Sequence, residues 1–139
     1  MYFNNLYNEI LLCVKMEASM NKDIINKLHI ANAVEFMKTY MEENSIDLTI
    51  TSPPYDNLRN YKGYKFKFEE MANELFRITK KGGIVVWVIG DKIKNGNKSL
   101  TSFKHGLYFQ EIGFNVHDVM IYAKKKHSLC AVKCLYQRV

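Results

Sequence analysis

From residue 24 onward, hydrophobic positions switch repeatedly between two periods, one suited to strands and one to helices. Ile25 to Ile30, with Leu28 and Ile30, predicts a short strand ending at Ala31-Asn32. Ala33-Val34, Phe36-Met37 and Tyr40-Met41 then recur at helical spacing, with Glu35, Lys38 and Glu42 opposite them. Asn32 is placed to cap that helix, and Asn44-Ser45 closes it. Ile46 to Thr51 predicts a second strand, and a polar, aromatic loop runs from Asp56 to Lys65. Phe68, Met71, Ala72, Leu75, Phe76 and Ile78 describe an amphipathic helix stopped by Lys80-Lys81-Gly82-Gly83. Ile84 to Ile89 is unbroken apolar, the pattern of a strand covered on both faces. A polar loop from Lys92 to Lys98 precedes a helix built on Leu100, Phe103, Leu107, Tyr108 and Ile112. Gly113 stops it, and Val116 to Tyr122 predicts a fourth strand. Strands and helices in alternation imply an α/β fold with a parallel sheet.

One stretch interrupts the pattern with rigidity. Thr51-Ser52-Pro53-Pro54-Tyr55 carries both prolines of the chain. Two consecutive φ angles are fixed there and two backbone donors removed. Ser52, preceding a proline, is driven to an extended conformation. A stiff turn at a strand end thus offers a hydroxyl, carbonyls and a ring to a planar ligand bearing an amino group.

The 139 residues suit one domain, and 47% hydrophobic against 24% charged residues excludes a disordered chain. A formal charge of +6 favours a polyanionic partner, although Lys124-Lys125-Lys126 supplies much of the excess. Cys13, Cys130 and Cys134 form no metal-ligand pattern, since His127, Cys130 and Cys134 lack a fourth ligand. No metal and reduced thiols are expected. The apolar run Ile10 to Val14 is far shorter than the ~20 residues a membrane span needs, and no signal-peptide layout precedes it. A cytoplasmic location without membrane contact is the expectation. No repeat or low-complexity segment is visible.

Asp47-Leu48-Thr49-Ile50-Thr51-Ser52-Pro53-Pro54-Tyr55 resembles the catalytic motif of DNA amino-methyltransferases, which act on N4 of cytosine or N6 of adenine. Asp56-Asn57-Leu58-Arg59 with Tyr61 is similar to the loop after that motif in phage and restriction-type members. Lys81-Gly82-Gly83 through Gly90-Asp91, and then Ser99 to Tyr122, resemble the following core elements. The likeness spans roughly residues 24–125, after an extension (1–23) and before a divergent tail (126–139) that reads as a truncated or frame-shifted end.

The resemblance implies a partial Rossmann-like sheet, S-adenosylmethionine as methyl donor and double-stranded DNA as partner. It assigns catalysis to Ser52, Pro53, Pro54 and Tyr55. It places Asn32 near the donor's adenosine, with Asp56, Asn57 and Arg59 near the target nucleotide or its phosphates. As plain chemistry, Asn32 is equally a helix cap, and the three loop residues are equally solvated. Trp87 reads as core, His105 and His117 as structural, and Asp91 as a loop cap. Serine at the first motif position favours N4 of cytosine. N6 of adenine and a non-catalytic DNA-binding remnant are the alternatives; RNA and protein-glutamine methyltransferases usually carry Asn-Pro-Pro-Tyr instead. The Phe-x-Gly-x-Gly turn that holds the cofactor in such enzymes does not occur in the sequence. In the complete fold, cofactor-half strands lie between the first two strands found here, and another lies between the third and fourth. The expectation is therefore a three-stranded remnant with a displaced fourth strand, or dependence on a complementing chain or self-association.

Overall fold

The computed structural model describes residues 24–54, 66–122 and 131–138. Helix α1 (Ala33–Tyr40) and strand β1 (Ile46–Thr51) come first, then helix α2 (Phe68–Ile78) and strand β2 (Thr79–Ile89). A small hairpin of β3 (Ile93–Lys94) and β4 (Asn97–Lys98) leads to helix α3 (Thr101–Glu111). Strands β5 (Phe114–Tyr122) and β6 (Ala131–Arg138) close the order. The main sheet runs β1-β2-β6-β5, with β1 parallel to β2 and β6 antiparallel to both its neighbours. The α/β expectation holds, with a partly parallel, open, Rossmann-like sheet.

Four local differences from the sequence pattern have physical reasons. Ile25 to Ile30 forms no strand: Leu28 and Ile30 are 74% and 79% exposed, and no described strand pairs with the segment. Lys80 to Gly83, expected to stop the chain between helix and strand, instead make an excursion inside β2. The register jumps from Ile46↔Thr79 to Leu48↔Ile84, so β1 advances two residues while β2 advances five. Gly82 takes φ +78°, and a Cβ on Gly83 would lie 2.9 Å from Lys80 O and 3.0 Å from Ile46 O. Glycine is needed at both.

The Lys92–Lys98 loop is a hairpin turning at Asn95 (φ 52°) and Gly96 (φ 74°), the left-handed pair that a two-residue turn requires. Finally, the tail expected to diverge from the family pattern supplies β6. It inserts between β2 and β5, pairing Val85↔Tyr136 on one side and Val116↔Tyr136 on the other. The place of the strand expected to be missing between the third and fourth is thereby filled, and no displaced remnant results.

The helices lie against one face of the sheet. Val85, Trp87, Ile89 and Tyr136 on that face are fully buried with Leu75, Ile78 and Phe109. Aromatic rings dominate this core: Trp87 meets Phe109 edge-on at 5.2 Å, and Phe109 stacks on Tyr136 at 4.3 Å. Each such pair adds about 0.5–1.5 kcal/mol beyond its buried area. The opposite face is different from the two-sided burial expected of β2. Ile50 is 42% and Ile84 36% exposed there, and Leu48, Val86 and Val88 are half-buried.

Arg77 joins the first two helices. Its Nη2 donates to Met37 O at 2.8 Å and its Nη1 to Met41 O at 3.0 Å, while Nε donates to Glu74 at 2.8 Å. The C-terminal end of α1 is thus held by a cation that suits the helix dipole: it meets the carbonyl of the cap residue Met41 and gives Met37 O, which also accepts from Met41 N at 3.1 Å, a second donor. Arg77→Ala is expected to cost about 1–3 kcal/mol, because it removes the donor to Met41 O, one of two donors to Met37 O and the partner of Glu74. A urea midpoint within error of the parent chain would contradict that role.

Candidate functional site

Strands β1 and β2 run in the same direction, so the residues that follow them emerge at one end of the sheet. Thr51 pairs with Trp87, which sets the Ser52-Pro53-Pro54 turn beside the last residues of β2. Thr51 and Pro53 are buried, Pro54 is half-buried and Ser52 is exposed. The sequence explains this alternation. A buried threonine ends the strand, and the fixed φ of Pro53 and Pro54 directs the chain away while Ser52 faces outward. Tyr55, Asp56, Asn57 and Arg59 lie outside the described residues.

Three arrangements hold this end of the sheet in place. Trp87 Nε1 donates to His105 Nδ1 at 3.2 Å, and Phe68 stacks on the His105 ring with centroids 3.5 Å apart. An indole N–H can only donate, so Nδ1 is the acceptor in this pair. Asp91, just beyond β2, accepts from Ser102 N and from Ser102 Oγ, both at 2.9 Å. It therefore caps helix α3 rather than the loop. Leu100, the residue before that helix, has φ 54° and offers no side-chain cap of its own. The carboxylate of Asp91 takes over, and suits the positive end of the helix. Among the described residues, Thr49 and Thr51 have buried hydroxyls without hydrogen-bond partners, and β1 has a strand on only one side.

Asn32 is where the sequence puts it, but its side chain is engaged. Oδ1 accepts from Val34 N at 3.0 Å and Glu35 N at 3.3 Å, which is a helix cap. The C-terminal end of α1 is tied to Arg77, whose carbonyl accepts from Asn44 N beside the start of β1. Asn32 stands at the N-terminal end of the eight-residue helix, about 12 Å along it from the end that Arg77 holds. Among the described residues no glycine-rich turn follows a strand to hold a nucleotide-like cofactor, and Asn32 alone makes no cradle. Among the described residues, no three His, Cys, Asp or Glu side chains group as metal ligands. No described helix is long and apolar enough to cross a membrane.

Sequence reasoning missed the partners of Trp87 and His105, and the hairpin after Asp91. Asn95-Gly96 between Ile93-Lys94 and Asn97-Lys98 was the available signal for the hairpin.

Comparison with known proteins agrees with this geometry. A family model for DNA methylases of the N6/N4 type matches residues 46–137, from the first residue of β1 nearly to the end of β6. The orphan methyltransferase M.BamHII of Bacillus amyloliquefaciens is 55% identical over 101 residues, covering 73% of this chain and 38% of that protein. The type II methyltransferase M.HpaI of Haemophilus parainfluenzae is 33% identical over 93 residues, 60% of this chain and 29% of its own. The chain thus spans well under two thirds of the curated relatives it matches. Among solved structures, TTHA0409 of Thermus thermophilus, described as a DNA modification methylase, superposes with TM-score 0.66 at 20% identity. That alignment covers 82% of this chain and 55% of TTHA0409; TTHA0409 has also been solved with S-adenosyl-L-methionine. The cytosine-N4-specific PvuII DNA methyltransferase gives TM-score 0.60 at 15% identity, covering 80% and 48%. At these identities the structural likeness is one of fold, and the sequence matches carry the kinship: this chain belongs to the N6/N4 DNA methylase family.

Proposed function

We propose that this chain is the base-handling half of an S-adenosylmethionine-dependent DNA methyltransferase that modifies N4 of cytosine. The observation that carries the reading is the exposed Ser52 on a proline-stiffened turn at the shared end of two parallel strands. An exocyclic amino nitrogen is a poor nucleophile because its lone pair is delocalised into the ring. The Ser52 hydroxyl and the Pro53 carbonyl accept its two hydrogens, which turns the lone pair out of the ring plane. Pro54 keeps the two acceptors at fixed separation, so no reorganisation is needed when charge develops. Tyr55 stacks on the base after it leaves the duplex. S-adenosylmethionine supplies the methyl group. Its binding belongs to the part of the fold that the chain does not span, and Asn32, engaged as a cap, is at most peripheral to it.

That remaining part needs a seat. Among the described residues no strand pairs with one side of β1, which presents backbone donors and acceptors there, and the face bearing Leu48, Ile50, Ile84, Val86 and Val88 is incompletely covered. Both features fit a cofactor half that adds a strand beside β1, in the same polypeptide or a complementing one.

The test is a graft: the 101-residue segment shared with M.BamHII is exchanged for this chain's version within the full-length relative. DNA nucleosides from expressing cells are then read by mass spectrometry. N4-methylcytosine supports the proposal. N6-methyladenine would move the target base, and a folded graft yielding neither would favour a non-catalytic DNA-binding role.

A further inference from the structure

Hairpin β3–β4 stands at the same sheet end as Ser52, yet it has no part in the chemistry just described. Asp91 follows Trp87 by four residues, a span of at most ~14 Å. The hairpin begins there, so its lysines lie within about 25 Å of the turn. Its base is held firmly. Ser99 N donates to Lys92 O at 2.8 Å, Lys92 N donates to Ser99 Oγ at 3.1 Å, and Asp91 binds Ser102 twice. The strands beyond that base are exposed on both faces.

Charge is unbalanced here. Between Asp91 and Glu111 the chain carries Lys92, Lys94, Lys98 and Lys104 and no acidic residue. At the other end of the sheet Lys80 meets a carboxylate, its Nζ 3.1 Å from Asp47. The register adds direction. Lys98 lies opposite Ile93, whereas Lys94 lies opposite Asn97, so Lys94 and Lys98 project from opposite faces of the ribbon.

We infer that hairpin β3–β4 enters a groove of duplex DNA beside the target base and sets Lys94 and Lys98 against the phosphates of its two walls. A two-stranded ribbon fits the major groove of B-form DNA, whose walls are phosphate on either side. Lysines on both faces suit that placement better than they suit a flat contact. The rigid base converts the hairpin from a loose basic loop into a positioning element for the duplex, fixing register without reading sequence. The inference deepens the reading of Ser52 as the amino-group acceptor and rests on it.

The experiment measures binding of the full chain to a mixed-sequence duplex of about 25 base pairs across a salt series. Each phosphate contact contributes about 0.9 to the slope of log K against log salt. The Lys94→Ala/Lys98→Ala variant is expected to lower the slope by about 2 and weaken binding roughly 10–100-fold at about 0.1 M salt. Lys38→Ala/Lys81→Ala removes the same charge near the far end of the sheet and is expected to leave the slope unchanged. Equal slopes for both double variants, or no binding by the parent chain at low salt, would overturn the inference. Methylation by the graft with unaltered slopes would overturn the hairpin's role alone. A lowered slope without methylation would leave the hairpin standing and remove the catalytic reading.

Discussion

Trp87→Ala is expected to destabilise the chain by about 3–5 kcal/mol, the range for truncating a large buried aromatic side chain. Trp87 is fully buried and touches the rings of Phe66, Phe68, His105 and Phe109. Removing it opens a cavity between β2 and the helices and leaves His105 Nδ1 without its donor. Domains of this kind have only about 5–15 kcal/mol in hand, so the loss is a large share of the total. Trp87→Phe keeps most of the packing and removes the hydrogen bond, so a smaller cost of about 1 kcal/mol is expected. Urea unfolding of both variants separates volume from hydrogen bonding. Equal, small shifts would show that the aromatic cluster is not the centre of the core. The consequence reaches the site, because Trp87 is the residue against which Thr51, and so the Ser52 turn, is registered.

What was legible in the sequence follows from how local each signal is. β1, α2 and α3 announce themselves through periodicity, and the Asn32 cap through its place before Ala33-Val34. The Ser52 turn is legible because two prolines act on their own neighbours, whatever the rest of the chain does. β6 was not. Its alternation of Val132, Cys134 and Tyr136 with Lys133, Leu135 and Gln137 is strand-like, but it follows a basic run, and its pairing with β2 lies far away in sequence. Arg77 reaching two carbonyls of α1, and Arg138 reaching Asn44 at 2.7 Å while lying 4.4 Å over Phe76, are likewise products of packing. Ile25 to Ile30 failed in the opposite sense, since an apolar run becomes a strand only where a sheet edge receives it. Glu70 shows how little some visible pairs matter: Lys67 at 2.7 Å lowers its carboxyl below the usual range, but the pair is exposed and screened.

Ser52→Ala is the substitution with the largest expected effect on chemistry. On the proposed reading it removes one of two acceptors for the amino hydrogens, while the side chain is exposed and Pro53 and Pro54 keep the turn. With one acceptor gone the lone pair returns toward the ring, and the nitrogen is again a poor nucleophile. Loss of a single preorganised hydrogen-bonding group of this type lowers rates by about 10²–10³-fold. Stability should change by no more than about 0.5 kcal/mol, as for other exposed positions. Cofactor affinity in the graft should be unaltered, since Ser52 is assigned to the base.

The most direct measurement is the rate of labelled methyl transfer to duplex DNA by the purified graft with and without Ser52→Ala, at saturating S-adenosylmethionine. The account predicts a rate at least about 100-fold lower for the variant, with unchanged folding and cofactor binding. A variant that methylates as fast as the parent graft would contradict it, and Ser52 would then be only the surface residue of a rigid turn.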